Sequence, residues 1–160
     1  MKRIIYVLII AITVTSCNHR PEHRDHPQND KERKEKVMKR DSVKDGVFIH
    51  ITESYTDPHR VLMPLKMAVM MADDKDVLVY MDIHAVELLV KGAKDLNFAD
   101  FESAHTYIKK LAEKNVGVYA CPTCLKLAGF KPEDLMEGVQ PAQKDKFFNF
   151  TKGRIITLDY

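Results

Sequence analysis

The chain has 160 residues, with 25 Lys/Arg against 23 Asp/Glu, three cysteines and no tryptophan. Its formal charge of +2 is unevenly spread: residues 18–44 hold nine Lys/Arg against six Asp/Glu, whereas residues 45–160 hold 14 against 17, a net −3. A slightly acidic folded part offers no basic footprint for nucleic acid, and three cysteines are too few for a disulfide scaffold.

Met1-Lys2-Arg3 is a basic start, followed by an apolar run of 11 residues from Ile4 to Val14. That length is too short to span a bilayer and right for the core of a signal peptide. Val14-Thr15-Ser16-Cys17 has the form of a lipobox, small residues and then a cysteine. The reading is a lipoprotein signal peptide over residues 1–16, with Cys17 lipidated and the protein exported. It would be lipid-anchored to a bacterial membrane, facing the periplasm or the cell surface. An ordinary N-terminal anchor with an incidental cysteine is the competing reading.

Residues 17–44 read as a disordered charged tether, because almost nothing there can be buried to offset chain entropy. His19, His23 and His26 invite a metal reading, but nothing fixes their geometry and a solvated linker is preferred. Glu32 and Lys36 stand four apart and could support a transient helix without an apolar stripe to anchor it. What remains, residues 45–160, is enough for one core.

Gly46 to Thr52 (GVFIHIT) is a continuous run that predicts a central strand buried on both faces. A polar loop with Asp57-Pro58 turn chemistry leads into a helix reaching about Ala72. Val61, Leu62, Leu65, Ala68, Val69 and Ala72 form one stripe of it, and Met63, Met67, Met70 and Met71 a second, which predicts a subunit contact. Pro64 must lie in the first turn or bend this helix.

Val77 to Met81 predicts a second strand ending at Asp82-Ile83-His84, then a short stripe through Val86, Leu89 and Val90. A helix follows from about Phe101 to Lys114, stopped at Asn115. Val116 to Ala120 predicts a strand that runs into Cys121. Beyond it come a turn from Pro132, a helix from Pro141 to about Phe150, and a last strand over Arg154–Leu158. Strands alternating with helices predict an α/β fold, a single three-layer sandwich whose mostly parallel sheet has four to five strands. The loops Thr52–Arg60, Asp82–His84 and Cys121–Cys124 then share the rim beyond the carboxyl ends of the strands, where such sheets place their sites.

Cys121-Pro122-Thr123-Cys124 is the stretch that carries chemistry. Cys121 falls at an N-cap, Pro122 at the first helical position and Gly129 just past the last turn. Cys124, three residues on, turns its sulfur to the same side. Backbone N–H groups and the helix dipole at such a place favour thiolate over thiol.

Val118 to Lys126, with Gly129, Asp134-Leu135 and Gly138-Val139, resembles the signature of the DsrE/DsrF-like family. The Asp57-Pro58 loop and the run from Asp82 through Val86 to Gly92 are similar to it as well. The resemblance spans residues 46–160 and implies a flavodoxin-like topology, a trimer or hexamer, and, as in sulfur-relay members, a persulfide on Cys121. Under that reading the protein is a sulfur carrier whose partners are donor and acceptor thiols, with no cofactor. His84, on the neighbouring rim, is the candidate charged or hydrogen-bonding partner; a solvated loop histidine is its simpler reading. Two other readings stay open: thiol–disulfide exchange by Cys121 and Cys124, and a non-catalytic binding module of the same fold.

Overall fold

The computed structural model describes residues 27–41 and 43–160. The signal peptide, Cys17 and the histidines His19, His23 and His26 lie outside the described residues. Helix α1 (Pro27–Asp41) takes part of the span read as a disordered tether. The helix has a local cause. Lys, Arg and Glu are good helix formers, and Glu32 precedes Lys36 by four residues, the favourable order for an ion pair. Its residues 31–38 are all exposed, including Val37 and Met38.

Five strands form the sheet: β1 (Gly46–Ile51), β2 (Asp76–Met81), β3 (Gly117–Ala120), β4 (Val139–Pro141) and β5 (Ile155–Asp159), all parallel, in the order β4-β3-β2-β1-β5. Helices α2 (His59–Met71) and α3 (Ala104–Glu113) supply the connections β1–β2 and β2–β3, the latter together with a 3₁₀ segment over Ala85–Leu89. Helix α4 (Pro122–Leu127) follows β3, and a short α5 (Lys144–Phe148) precedes β5.

Pleating sends alternate residues to opposite faces. Val47, Ile49 and Ile51 of β1, with Val77, Val79 and Met81 of β2 and Val118 and Ala120 of β3, enter one core with Val61, Leu62, Leu65 and Ala68 of α2 and Ile108 and Leu111 of α3. Most of these are fully shielded, and each large side chain contributes roughly 1.5–3 kcal/mol over the exposed state.

The opposite face carries Phe48, His50, Tyr80 and Tyr119 under a lighter cover. Phe147 of α5 stands edge-on to Tyr80 (centroids 4.8 Å) and Phe48 (5.1 Å). β1 is therefore not buried on both faces, since Phe48 and His50 stay half-buried while their neighbours are sealed. The reason lies in the third layer. Of the segment expected to be a helix from Pro141 to Phe150, Pro141 ends strand β4 and only Lys144–Phe148 is helical, a five-residue α5 too short to roof the sheet.

Chain reversals follow the local chemistry. Ser103 caps α3 by accepting the Thr106 N–H at 3.3 Å, a signal the sequence reading passed over. Asn115, at φ +58°, ends the same helix, and the Val116 N–H returns to the Leu111 carbonyl at 2.9 Å. Pro64 sits inside α2 rather than in its first turn and is buried there.

Candidate functional site

The carboxyl ends of β1, β2 and β3 are tied at backbone level. Asp82 N–H donates to the Ile51 carbonyl (3.1 Å), the N–H groups of His84 and Ala85 both donate to Thr52 (3.2 Å each), and Cys121 N–H donates to Met81 (3.0 Å). These bonds set the three polar loops on one rim.

Cys121 closes β3 with extended backbone and caps α4, with Pro122 in the first turn. Its carbonyl accepts the first helical bond, from Leu125 N–H at 2.9 Å. At the other end Gly129 takes φ +83° and the Phe130 N–H closes on the Leu125 carbonyl at 2.9 Å. Only a residue without Cβ adopts that conformation freely, as the spacing required.

Both thiols of the pair are free and half-buried. Burial pushes the Cys121 thiol up, but hydrogen bonds from the Tyr80 hydroxyl, the Cys124 N–H, the Cys124 thiol and the Thr123 N–H outweigh it and hold the group below the ordinary thiol range. Cys124 moves the other way. Burial raises it, the Ile83 N–H opposes, and the neighbouring Cys121 sulfur and Asp82 carboxylate raise it further. The pair thus divides labour: Cys121 ionises first, and Cys124 keeps its proton and donates. Burial, together with Cys121 and the nearby acids, holds the Tyr80 hydroxyl protonated, so it acts as a donor.

The loop beneath the pair is strained. Ile83 has φ +48°, a left-handed conformation that a β-branched residue rarely adopts, while its side chain is 54% exposed. That conformation turns its N–H towards Cys124. Strain of this kind gathers at functional sites, where surrounding structure over-determines it.

Of the residues singled out in the sequence, Cys121 and Cys124 are brought together. His84 stands on the same rim, exposed, capping the 3₁₀ segment through its backbone, and its side chain has no hydrogen bond among the described residues. Asp57 accepts the Arg60 N–H at 3.2 Å at the start of α2, a turn role, and Glu53 accepts from Thr56.

Two site residues escaped the sequence reading. Tyr80 lies in the apolar run of β2, and His50 lies in that of β1 between Ile49 and Ile51. His50 Nε2 is 2.9 Å from Asp82 Oδ1 and its Nδ1 3.0 Å from Asp159 Oδ1, while its ring stacks on Tyr80 at 5.5 Å. The available signal was one hydrogen-bonding ring near the carboxyl end of each strand, on the face opposite its aliphatic stripe. Among the described residues no group of three or more His, Cys, Asp or Glu is arranged to hold a metal ion. Two cavities, of about 540 and 610 Å³, lie away from the cysteines, one at the amino ends of β2 and β3 and one between α3 and the Val90–Gly92 turn.

The sequence of residues 45–157 matches the model of the DsrE/DsrF-like family. The chain belongs to the DsrE/DsrF-like family. A second match, to a prokaryotic membrane lipoprotein lipid attachment site, covers residues 1–18 and marks a lipid-anchored membrane protein. No helix among the described residues is long and apolar enough to cross a membrane. The fold is similar to that of the ychN protein from E. coli, with a TM-score of 0.57, 18% identity, and coverage of 71% of this chain and 99% of that one. A protein of unknown function from Methanobacterium thermoautotrophicum gives 0.50, 21%, 71% and 98%. No curated protein matches the chain. Membership of this DsrE/DsrF-like family points to a sulfur-relay type of function.

Proposed function

We propose that this lipid-anchored DsrE/DsrF-like protein is a sulfur carrier in which Cys121 accepts and passes on a persulfide sulfur. One placement carries the reading: Cys121 is a free, half-buried thiol where β3 ends and α4 begins, and its surroundings hold it below the ordinary thiol range. The thiolate is the nucleophile in such chemistry. In loading, the Cys121 thiolate attacks the outer sulfur of a donor persulfide. The donor S–S bond breaks, the donor leaves as a thiolate, and Cys121 carries S–SH with no net oxidation. An acceptor thiolate then repeats the displacement and regenerates Cys121. The Thr123 and Cys124 N–H groups and the Tyr80 hydroxyl steady the anionic sulfur in both directions.

A carrier needs an accessible sulfur rather than an enclosing pocket. His84, exposed on the same rim, is assigned to meet the incoming partner as a hydrogen-bond or charge donor. The domain faces the periplasm or the cell surface and works as a homo-oligomer, a trimer or hexamer; Met63 and Met70, 40% and 64% exposed on α2, are the side chains that assembly would cover. Thiol–disulfide exchange is the second reading, favoured by the proton-bearing Cys124 beside an ionised Cys121.

Mass analysis after exposure to a sulfane-sulfur donor decides between them. Extra sulfur on Cys121, lost in Cys121→Ser and retained in Cys124→Ser, is the expected result. Disulfide turnover that requires both cysteines, without sulfur loading, supports exchange. Absence of either reaction leaves a binding module and overturns the carrier.

A further inference from the structure

Asp82 places a carboxylate beside the cysteine pair. Met81 pairs with Ala120 in the β2–β3 ladder, so Asp82 and Cys121 are the next residues of adjacent strands, about 5 Å apart in backbone. An ionised Asp82 opposes a thiolate there, and its charge already raises Cys124. Yet Asp82 does not face the cysteines alone. Its Oδ1 meets His50 Nε2 at 2.9 Å, and the other ring nitrogen of His50 meets Asp159 Oδ1 at 3.0 Å. An imidazole donates from both nitrogens at once only when both carry hydrogen, which makes the ring a cation. The titratable groups facing His50 are Asp82 and Tyr80 on β2 and Asp159 on β5, while α5 meets this cluster through Phe147, against Tyr80.

We propose that His50 is a positioning residue that neutralises Asp82 beside the cysteine pair and so keeps the Cys121 thiolate available. Asp159 anchors the ring from the far side. It lies three strands from Cys121, about 14 Å at ordinary strand spacing, where an exposed charge is largely screened. His50 therefore acts through Asp82 and not on the sulfur directly.

The inference rests on the reading of Cys121 as a reacting thiolate, and its test keeps the two separate. The alkylation rate of Cys121 in the full chain is read by iodoacetamide labelling at neutral pH, with the Cys121 peptide quantified by mass. His50→Gln keeps a hydrogen-bond donor without the charge and slows labelling roughly three- to tenfold. Asp82→Asn speeds it by a similar factor, and in that background His50→Gln has no further effect. A merely structural histidine would slow labelling equally in both backgrounds, which overturns the inference. So does an Asp82→Asn protein that labels no faster than wild type, a result that needs no folded His50 variant. A wild-type Cys121 that labels no faster than an unfolded thiol instead overturns the carrier reading, and this inference with it.

Discussion

Two sulfurs three residues apart, in the same turn, ionise in opposite order because their neighbours differ. Cys121 collects donors, whereas Cys124 collects burial and two negative neighbours. Removing the tyrosine hydroxyl isolates its share. Tyr80→Phe keeps the ring against Phe147 and His50, and is expected to slow Cys121 alkylation at neutral pH several-fold, the profile moving towards higher pH. The sign also fixes a stability effect. Because the folded Cys121 value is depressed, its stabilisation is complete above the ordinary thiol value of 9.0 and is lost as pH falls through the lowered one. Denaturant unfolding of wild type against Cys121→Ser should therefore show the difference widening as pH rises within that window. Ile83 makes a different test. A buried Ile→Gly change removes several kcal/mol, but here glycine relieves a left-handed backbone and little burial is lost. Ile83→Gly is expected to hold or raise the unfolding free energy by up to about 1 kcal/mol, and to leave Cys124 less reactive, since the N–H that favours its thiolate loses its fixed direction.

At the level of elements, the rim works because rigid strands end together and their loops are stitched by backbone bonds to Ile51, Thr52 and Met81. Helix α3 owes its start to Ser103, and Ser103→Ala should cost about 1 kcal/mol of stability in thermal or denaturant unfolding. Helix α5 has another character. It carries no fully buried residue and holds to the sheet through Phe147. Phe147→Ala removes the edge contacts with Phe48 and Tyr80 and is expected to cost about 1–2 kcal/mol, less than the 3–5 of a fully buried phenylalanine. Hydrogen exchange should rise along α5 and leave the α2 and α3 side of the sheet protected.

For the whole molecule, a lipid attachment site stands ahead of a domain with one deep core and one half-open aromatic face. A single acyl chain gives only marginal membrane binding, so the several chains of a lipoprotein are what would hold this protein at a surface. Cys17→Ser is expected to move it from the membrane to the soluble fraction on cell fractionation, leaving the Cys121 reaction unchanged in rate.

Much of this was legible in the residues themselves. The cysteine turn follows from local rules: proline at the first helical position, glycine in the left-handed position after the last turn, and a thiol where N–H groups lack partners. Periodicity likewise identifies α2, α3 and the strands, because burial of one face imposes it. The partners of the sulfur belong to another order of information. Tyr80, His50, Asp82 and Asp159 come from three strands, and their side chains meet only through the register of the parallel ladder and the choice of face. The three-residue β4 shows no period of its own, and α5 takes its place from the aromatic contacts of Phe147. Local propensity acts over a few residues and can be read along the chain. Charge and hydrogen bonding between residues 32 and 109 apart exist only once the sheet has brought them within about 3 Å.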